Sequence, residues 1–155
     1  MRYGVTIRAA AAGDIEGVLR VERGSEDAPH WDEARYREMV ESDRLHVLRR
    51  VLFVAVERER VVGFAVGTVL LEDAELESLV VEEAWRRSGV GSGLSEALLA
   101  WAQGQEAMQM RLEVRAENVA ARTLYQRLGF QECGLRRGYY VDPVDDAVLM
   151  VKGLR

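Results

Sequence analysis

The run Arg86-Arg87-Ser88-Gly89-Val90-Gly91-Ser92-Gly93-Leu94 constrains this chain more than any other stretch. It follows an extended apolar segment, Leu76 to Val81, and opens a helical face made by Val90, Leu94, Ala97, Leu98, Trp101 and Ala102. Glycine in a helix costs ~1 kcal/mol relative to alanine, so three glycines at alternate positions call for a compensating reason. One such reason is close backbone approach to a ligand. The first turn of a helix presents unpaired N–H groups and a partial positive charge. Together these make a phosphate site from main-chain amides, to which Arg86, Arg87 and the Ser92 hydroxyl could add. On these residues alone, a glycine-rich helix start without a ligand is the alternative. The spacing is not the G-x-G-x-x-G of dinucleotide folds, the preceding strand is not the chain's first, and no Lys-Ser/Thr pair follows as a Walker loop requires.

The rest of the chain alternates between the two periodicities. Tyr3 to Ala9 reads as a strand, and Ile15, Val18 and Leu19 have helical spacing. Trp31 to Glu41 reads as a second helix with Tyr36, Met39 and Val40 inward. Phe53 to Val56 and Val61 to Leu71 read as strands joined by a Glu57–Arg60 turn. Met110, Leu112 and Val114 alternate with Arg111, Glu113 and Arg115, which is a strand. Ala120, Ala121, Leu124, Tyr125 and Leu128 return to helical spacing, and Gly129 stands where a left-handed cap is wanted. Phe130 to Arg136 and Ala147 to Val151 are the last two strands. The order implies an α/β fold with antiparallel hairpins, a central βαβ crossover and one domain over residues 1–155.

Composition narrows the function classes. A net charge of −5 argues against a nucleic-acid binder, which carries a basic stripe for the phosphates. The apolar stretch from Val51 to Leu71 is broken by four charges, and no signal-peptide core opens the chain, so no membrane span and a cytoplasmic protein are expected. The one cysteine, Cys133, has no partner for an internal disulfide and is expected as a small buried hydrophobe. His30 and His46 with that cysteine lack ligand spacing, so no metal is expected.

Arg86-x-x-Gly89-x-Gly91 resembles the acetyl-CoA motif of the GCN5-related N-acetyltransferase (GNAT) superfamily, and the order of elements matches that fold. Leu112 to Asn118, Ala121 to Phe130 and Arg136-Arg137-Gly138-Tyr139-Tyr140 are similar to the bacterial ribosomal-protein alanine N-acetyltransferases. The resemblance implies a GNAT-like mixed, mostly antiparallel sheet with helices on both faces and acetyl-CoA as co-substrate. Ser92 departs from it, since these enzymes often carry arginine there, and so does Glu77 to Val81, where Asn-Ile-Ala-Val is commoner.

The resemblance also assigns roles. Leu79 and Val81 would pair through their backbone with the amides of pantetheine, which adds like a strand. Arg86, Arg87, Gly89, Val90, Gly91 and Ser92 would hold the pyrophosphate. Glu113 is the candidate general base, because an amine must lose its proton before attacking a thioester; spacing alone favours a solvated, salt-bridged surface there. Tyr125 is the candidate general acid toward the departing thiolate and would also touch the cofactor; a core tyrosine is the alternative. Asn118 would cap its helix and touch the cofactor. From their chemistry and not from the resemblance, Trp31, Glu75, Tyr139 and Tyr140 could line an acceptor groove, with ordinary packing the equal alternative. Likewise Glu26, Asp27, Glu77, Asp142, Asp145 and Asp146 could attract a cationic peptide, with a merely solvated surface the alternative.

A peptide α-amine ordinarily titrates at about 7.7–8.0 and is roughly a tenth unprotonated near neutrality, far more than lysine, which titrates at about 10.4. A moderate base therefore suits a protein or peptide N-terminus, of a ribosomal protein for example. A small-molecule amine is the second reading, and a non-catalytic acyl-CoA-binding module the third.

Overall fold

A computed structural model describes residues 4–26, 28–41 and 47–155. Strand β1 (Val5–Ala9) leads through a short 3-10 turn (Ala12–Asp14) into α1 (Ile15–Arg23) and α2 (Glu33–Glu41). Strands β2 (Leu48–Glu57), β3 (Arg60–Leu70) and β4 (Asp73–Val81) form a meander. Helix α3 (Val90–Gly104) crosses over to β5 (Gln109–Arg115), α4 (Val119–Arg127) follows, and β6 (Gln131–Val141) and β7 (Val144–Gly153) close the chain. The expected order of elements is the observed one.

The sheet order is β1-β2-β3-β4-β5-β7-β6. Every neighbouring pair is antiparallel except β4–β5, the two strands joined by the α3 crossover. Several strands are longer than their apolar cores implied: β2 begins at Leu48 and β6 runs to Val141. Polar and arginine-bearing ends join a ladder because backbone pairing is indifferent to the side chain. The β2–β3 turn has only two central residues, Arg58 and Glu59, both at positive φ (47° and 66°), the geometry whose twist matches a hairpin. Tyr3 lies outside the described residues.

Two apolar layers hold the fold, one on each face of the sheet. Val18, Leu19 and Val21 of α1 and Tyr36 and Met39 of α2 pack on Leu52, Val54, Phe64 and Val80. On the other face Leu94 and Leu98 of α3 and Tyr125 of α4 pack on Leu76, Met110, Leu112 and Met150. The alternation of β5 thus sends its apolar residues to the α3–α4 face and Arg111, Glu113 and Arg115 to the other. There α1 and α2 cover β2, β3 and the end of β4, while the odd residues of β5 remain partly open to solvent.

Candidate active site

The two central strands part company early. β4 pairs with β5 only through Asp73, Ala74 and Glu75, while it stays paired with β3 as far as Val81. From Leu76 onward its outer edge therefore faces a cleft that β5 does not fill. The Glu82 N–H donates to the Val62 carbonyl at 2.8 Å. By the two-residue alternation of an antiparallel ladder, the N–H and C=O groups of Leu79 and Val81 point the other way, into the cleft. Arg86 Nε reaches this open edge and donates to the Val81 carbonyl at 3.3 Å.

A β-bulge sets which side chains accompany that edge. Ser78 stands opposite Val66 and Leu76 opposite Gly67, so Glu77 is the extra residue on β4. The bulge reverses side-chain parity. Ala74 and Leu76 pack toward α3 before it, and Leu79 and Val81 do so after it. Val80 is thereby turned to the α1–α2 face.

The cleft leads to the start of α3. Gly89 is its N-cap in the left-handed region (φ 85°), with no side-chain cap and no acidic residue in the first turn. The Gly93 N–H is already taken by the Gly89 carbonyl at 3.0 Å. The amides before it, at Val90, Gly91 and Ser92, belong to the helix start whose donors have no partner within the helix. A Cβ on Gly91 would come 3.2 Å from Leu124 Cδ2, so the glycine lets α4 lie close beside this turn. Arg87 is exposed, with φ 59°. A helix start of this kind, with free amides and no acidic residue, is the type of backbone that can receive an anion.

The candidate acid and base stand on opposite sides of β5. Tyr125 is 5% exposed, set edge-on to Phe130 at 5.8 Å. Burial, and then Tyr140, push its phenol well above the usual tyrosine range. Asn118 caps α4 as expected, its Oδ1 accepting from the Ala121 N–H at 3.1 Å, and Gly129 follows that helix at φ 97°. Glu113 lies on the open face, with Arg136 Nη2 3.4 Å from its Oε1. Burial first, and then the Glu113 carboxylate, raise the pKa of the Tyr140 phenol.

Around Glu113 the open face is more structured than spacing revealed. Glu77 pairs with Arg50 at 3.4 Å. Glu75 has its pKa raised by loss of hydration first and then by repulsion from Glu77 and Glu113. Arg115 donates to the carbonyls of Pro143 (2.9 Å) and Asp142 (3.2 Å), with its guanidinium 4.2 Å from the Tyr140 ring centre. It ties the β6–β7 hairpin to the central strand. Tyr139 packs edge-on against Tyr140 at 5.1 Å and is half exposed. Trp31 belongs to the α1–α2 connection, beneath the Arg35 guanidinium at 4.0 Å.

Some expectations need correcting. Cys133 is exposed, because β6 is the edge strand and its outer face has no covering layer. Asp145 and Asp146 are more than solvated charges: Asp145 Oδ2 accepts from Glu117 N–H at 3.1 Å and Asp146 Oδ1 from Gly138 N–H at 2.8 Å. His46 and Asp27 lie outside the described residues. Among the described residues no group of three or more His, Cys, Asp or Glu is placed to hold a metal ion, and no helix is long and apolar enough to cross a membrane.

The model of the acetyltransferase (GNAT) family matches residues 18–130. The chain belongs to that family, whose members transfer acetyl groups from acetyl-CoA. It is similar to the [ribosomal protein bS18]-alanine N-acetyltransferase of Escherichia coli K12, 30% identical over 147 residues that cover 94% of this chain and 95% of that one. The crystal structure of the E. coli ribosomal-protein-S18-alanine N-acetyltransferase superposes with a TM-score of 0.82 at 29% identity, covering 97% of this chain and 94% of the other. Ard1 from Thermoplasma volcanium superposes equally well, with a TM-score of 0.82 at 30% identity and 97% of each chain covered.

Proposed function

We propose that this chain transfers the acetyl group of acetyl-CoA to the α-amine of a protein or peptide N-terminus, such as that of a ribosomal protein. The observation that carries this reading is the divergence of β4 from β5 after Glu75, which leaves a backbone edge between Glu113 on one face and Tyr125 on the other. Pantetheine has two amides and can pair with Leu79 and Val81 as an added strand. Arg86 then leaves the Val81 carbonyl for the phosphates, beside Arg87 and the amides of Gly89, Val90, Gly91 and Ser92. Asn118 and Tyr125 complete the cofactor side.

The reaction is a direct displacement in a ternary complex. Glu113 takes the proton of the acceptor ammonium, directly or through one water. The freed amine attacks the thioester carbonyl carbon while an amide at Val81 donates to the carbonyl oxygen. The C–S bond breaks as the amide forms, the coenzyme leaves as a thiolate, and the second proton of the attacking nitrogen passes to that thiolate, directly or through water. The high pKa of Tyr125 makes outright proton transfer to a thiolate unfavourable, since a free thiol has a pKa of about 8.5. Its role is to donate a hydrogen bond to the developing sulfur charge. Trp31, Glu75, Tyr139 and Tyr140 line the acceptor path between the α1–α2 connection and the β6–β7 hairpin. No metal is called on, and a cytoplasmic setting, where acetyl-CoA and new protein N-termini meet, goes with this reading.

An acceptor panel tests it. Peptides beginning with alanine or serine, with free N-termini, should be acetylated at the α-amine. Turnover of polyamines or aminoglycosides alone would transfer the assignment to small amines, and acetyl-CoA binding without turnover of any amine would make the chain a binding module.

A further inference from the structure

Among the described residues, the most buried charged group outside the proposed reaction centre is Glu22. Its residue is 1% exposed, at the inner face of α1. Oε2 accepts from the backbone N–H of Trp31 at 2.9 Å and from the hydroxyl of Tyr36. Oε1 lies 4.0 Å from Nδ1 of the exposed His30. Among the described residues no arginine or lysine pairs with it. A buried carboxylate without a cation is costly unless its hydrogen bonds are held in good geometry.

Each of those bonds reaches a different element. Trp31 stands on the connection that leads from α1 to α2, and Tyr36 stands on α2, fully buried and edge-on to Phe64 of the sheet at 5.7 Å. The Trp31 ring in turn lies 5.8 Å from that of Tyr36. His30, just before Trp31, has a positive φ of 55°, a conformation that a connection without hydrogen-bonded support would leave. One carboxylate thus gathers α1, the connection and α2 over the β2–β3 part of the sheet.

We infer that Glu22 is a positioning residue for the acceptor: it fixes the Ala28–Trp31 connection, with the Trp31 ring, as a preformed wall of the acceptor cleft. This rests on the reading of Trp31 as acceptor-lining. A wall ordered before binding does not have to be ordered by the acceptor, so its loss appears in acceptor affinity and not in the chemical step.

Steady-state kinetics of Glu22→Gln and Tyr36→Phe test it, using whichever amine the wild-type protein turns over. Tyr36→Phe removes one hydroxyl and keeps the ring against Phe64, so it provides a folded variant even where Glu22→Gln unfolds. The expected result is an acceptor KM raised about tenfold or more, with kcat at saturating acceptor within about twofold and acetyl-CoA affinity unchanged. An unchanged acceptor KM in Tyr36→Phe, or a fall in kcat and cofactor affinity together, overturns the inference. Wild-type turnover of small amines alone defeats the protein N-terminus reading and leaves this comparison intact.

Discussion

The guanidinium of Arg136 on edge strand β6 lies 3.4 Å from the carboxylate of Glu113 on β5, reaching it across the intervening strand β7. Exposed ion pairs of this kind contribute about 0–1 kcal/mol to stability, and the Arg136 side chain is 56% exposed. Under the proposed reaction, Arg136 competes with the acceptor ammonium for the Glu113 carboxylate. Arg136→Gln should therefore leave the melting temperature nearly unchanged and lower the acceptor KM severalfold, as steady-state kinetics at low ionic strength would show. A large loss of melting temperature would make the pair a structural element instead.

Tyr125→Phe keeps the packing against Phe130 and removes only the hydroxyl. Hydrogen bonds to charged groups are worth about 1.5–3 kcal/mol, so kcat should fall about tenfold to a hundredfold with acetyl-CoA affinity retained. Because burial holds the phenol above the accessible pH range, the variant's pH–rate profile should keep the wild-type shape. An alkaline limb that disappears in Tyr125→Phe would show that this phenol titrates in the enzyme.

Gly89 caps α3 at φ 85°. Alanine in the left-handed region costs about 1–2 kcal/mol, and relief of that strain would turn the Val90 and Gly91 amides away from a bound phosphate. Gly89→Ala should lose most of the thermal shift produced by acetyl-CoA, which at a hundred times Kd amounts to about 2.7 kcal/mol. Gly104→Ala, where nothing lies within 4 Å of the added carbon, should keep it.

The raised pKa of Glu75 has a definite sign in stability. Its contribution is fully present below the ordinary glutamate pKa of about 4.3 and is lost as pH rises through the higher native value, because the charged form is desolvated and faces Glu77 and Glu113. Glu75→Gln should raise the melting temperature relative to wild type near pH 7, and that gain should vanish near pH 4. A variant that is less stable at pH 7 would mean that Glu75 holds a favourable partner.

Most of the architecture was legible because it depends on short-range periodicity. The alternation of Met110, Leu112 and Val114 fixed both the strand and its two faces, and the helical spacing of Ala121, Leu124 and Tyr125 gave α4. The β4 bulge was not legible. An extra residue at Glu77 reads as ordinary alternation in one strand, and only the register against β3 exposes it. The same holds for Arg136 beside Glu113 and for the Arg115 clamp, which depend on which strand β7 separates from which. Glu22 did leave a signal. A carboxylate three and four residues after Leu19 and Val18 interrupts an apolar helical face, and only a buried partner makes that tolerable.

The most direct test of the site is single-turnover acetyl transfer to an alanine-starting peptide, comparing wild type with Glu113→Gln at saturating acetyl-CoA. General-base catalysis is worth about 10²–10⁴ in rate. The variant should bind acetyl-CoA with an unchanged Kd and transfer at least about a hundred times more slowly near neutral pH, recovering partly as pH rises and the α-amine deprotonates unaided. Equal transfer rates in the two proteins would contradict the account, because Glu113 would then be a surface partner of Arg136 and the proton would leave by another route.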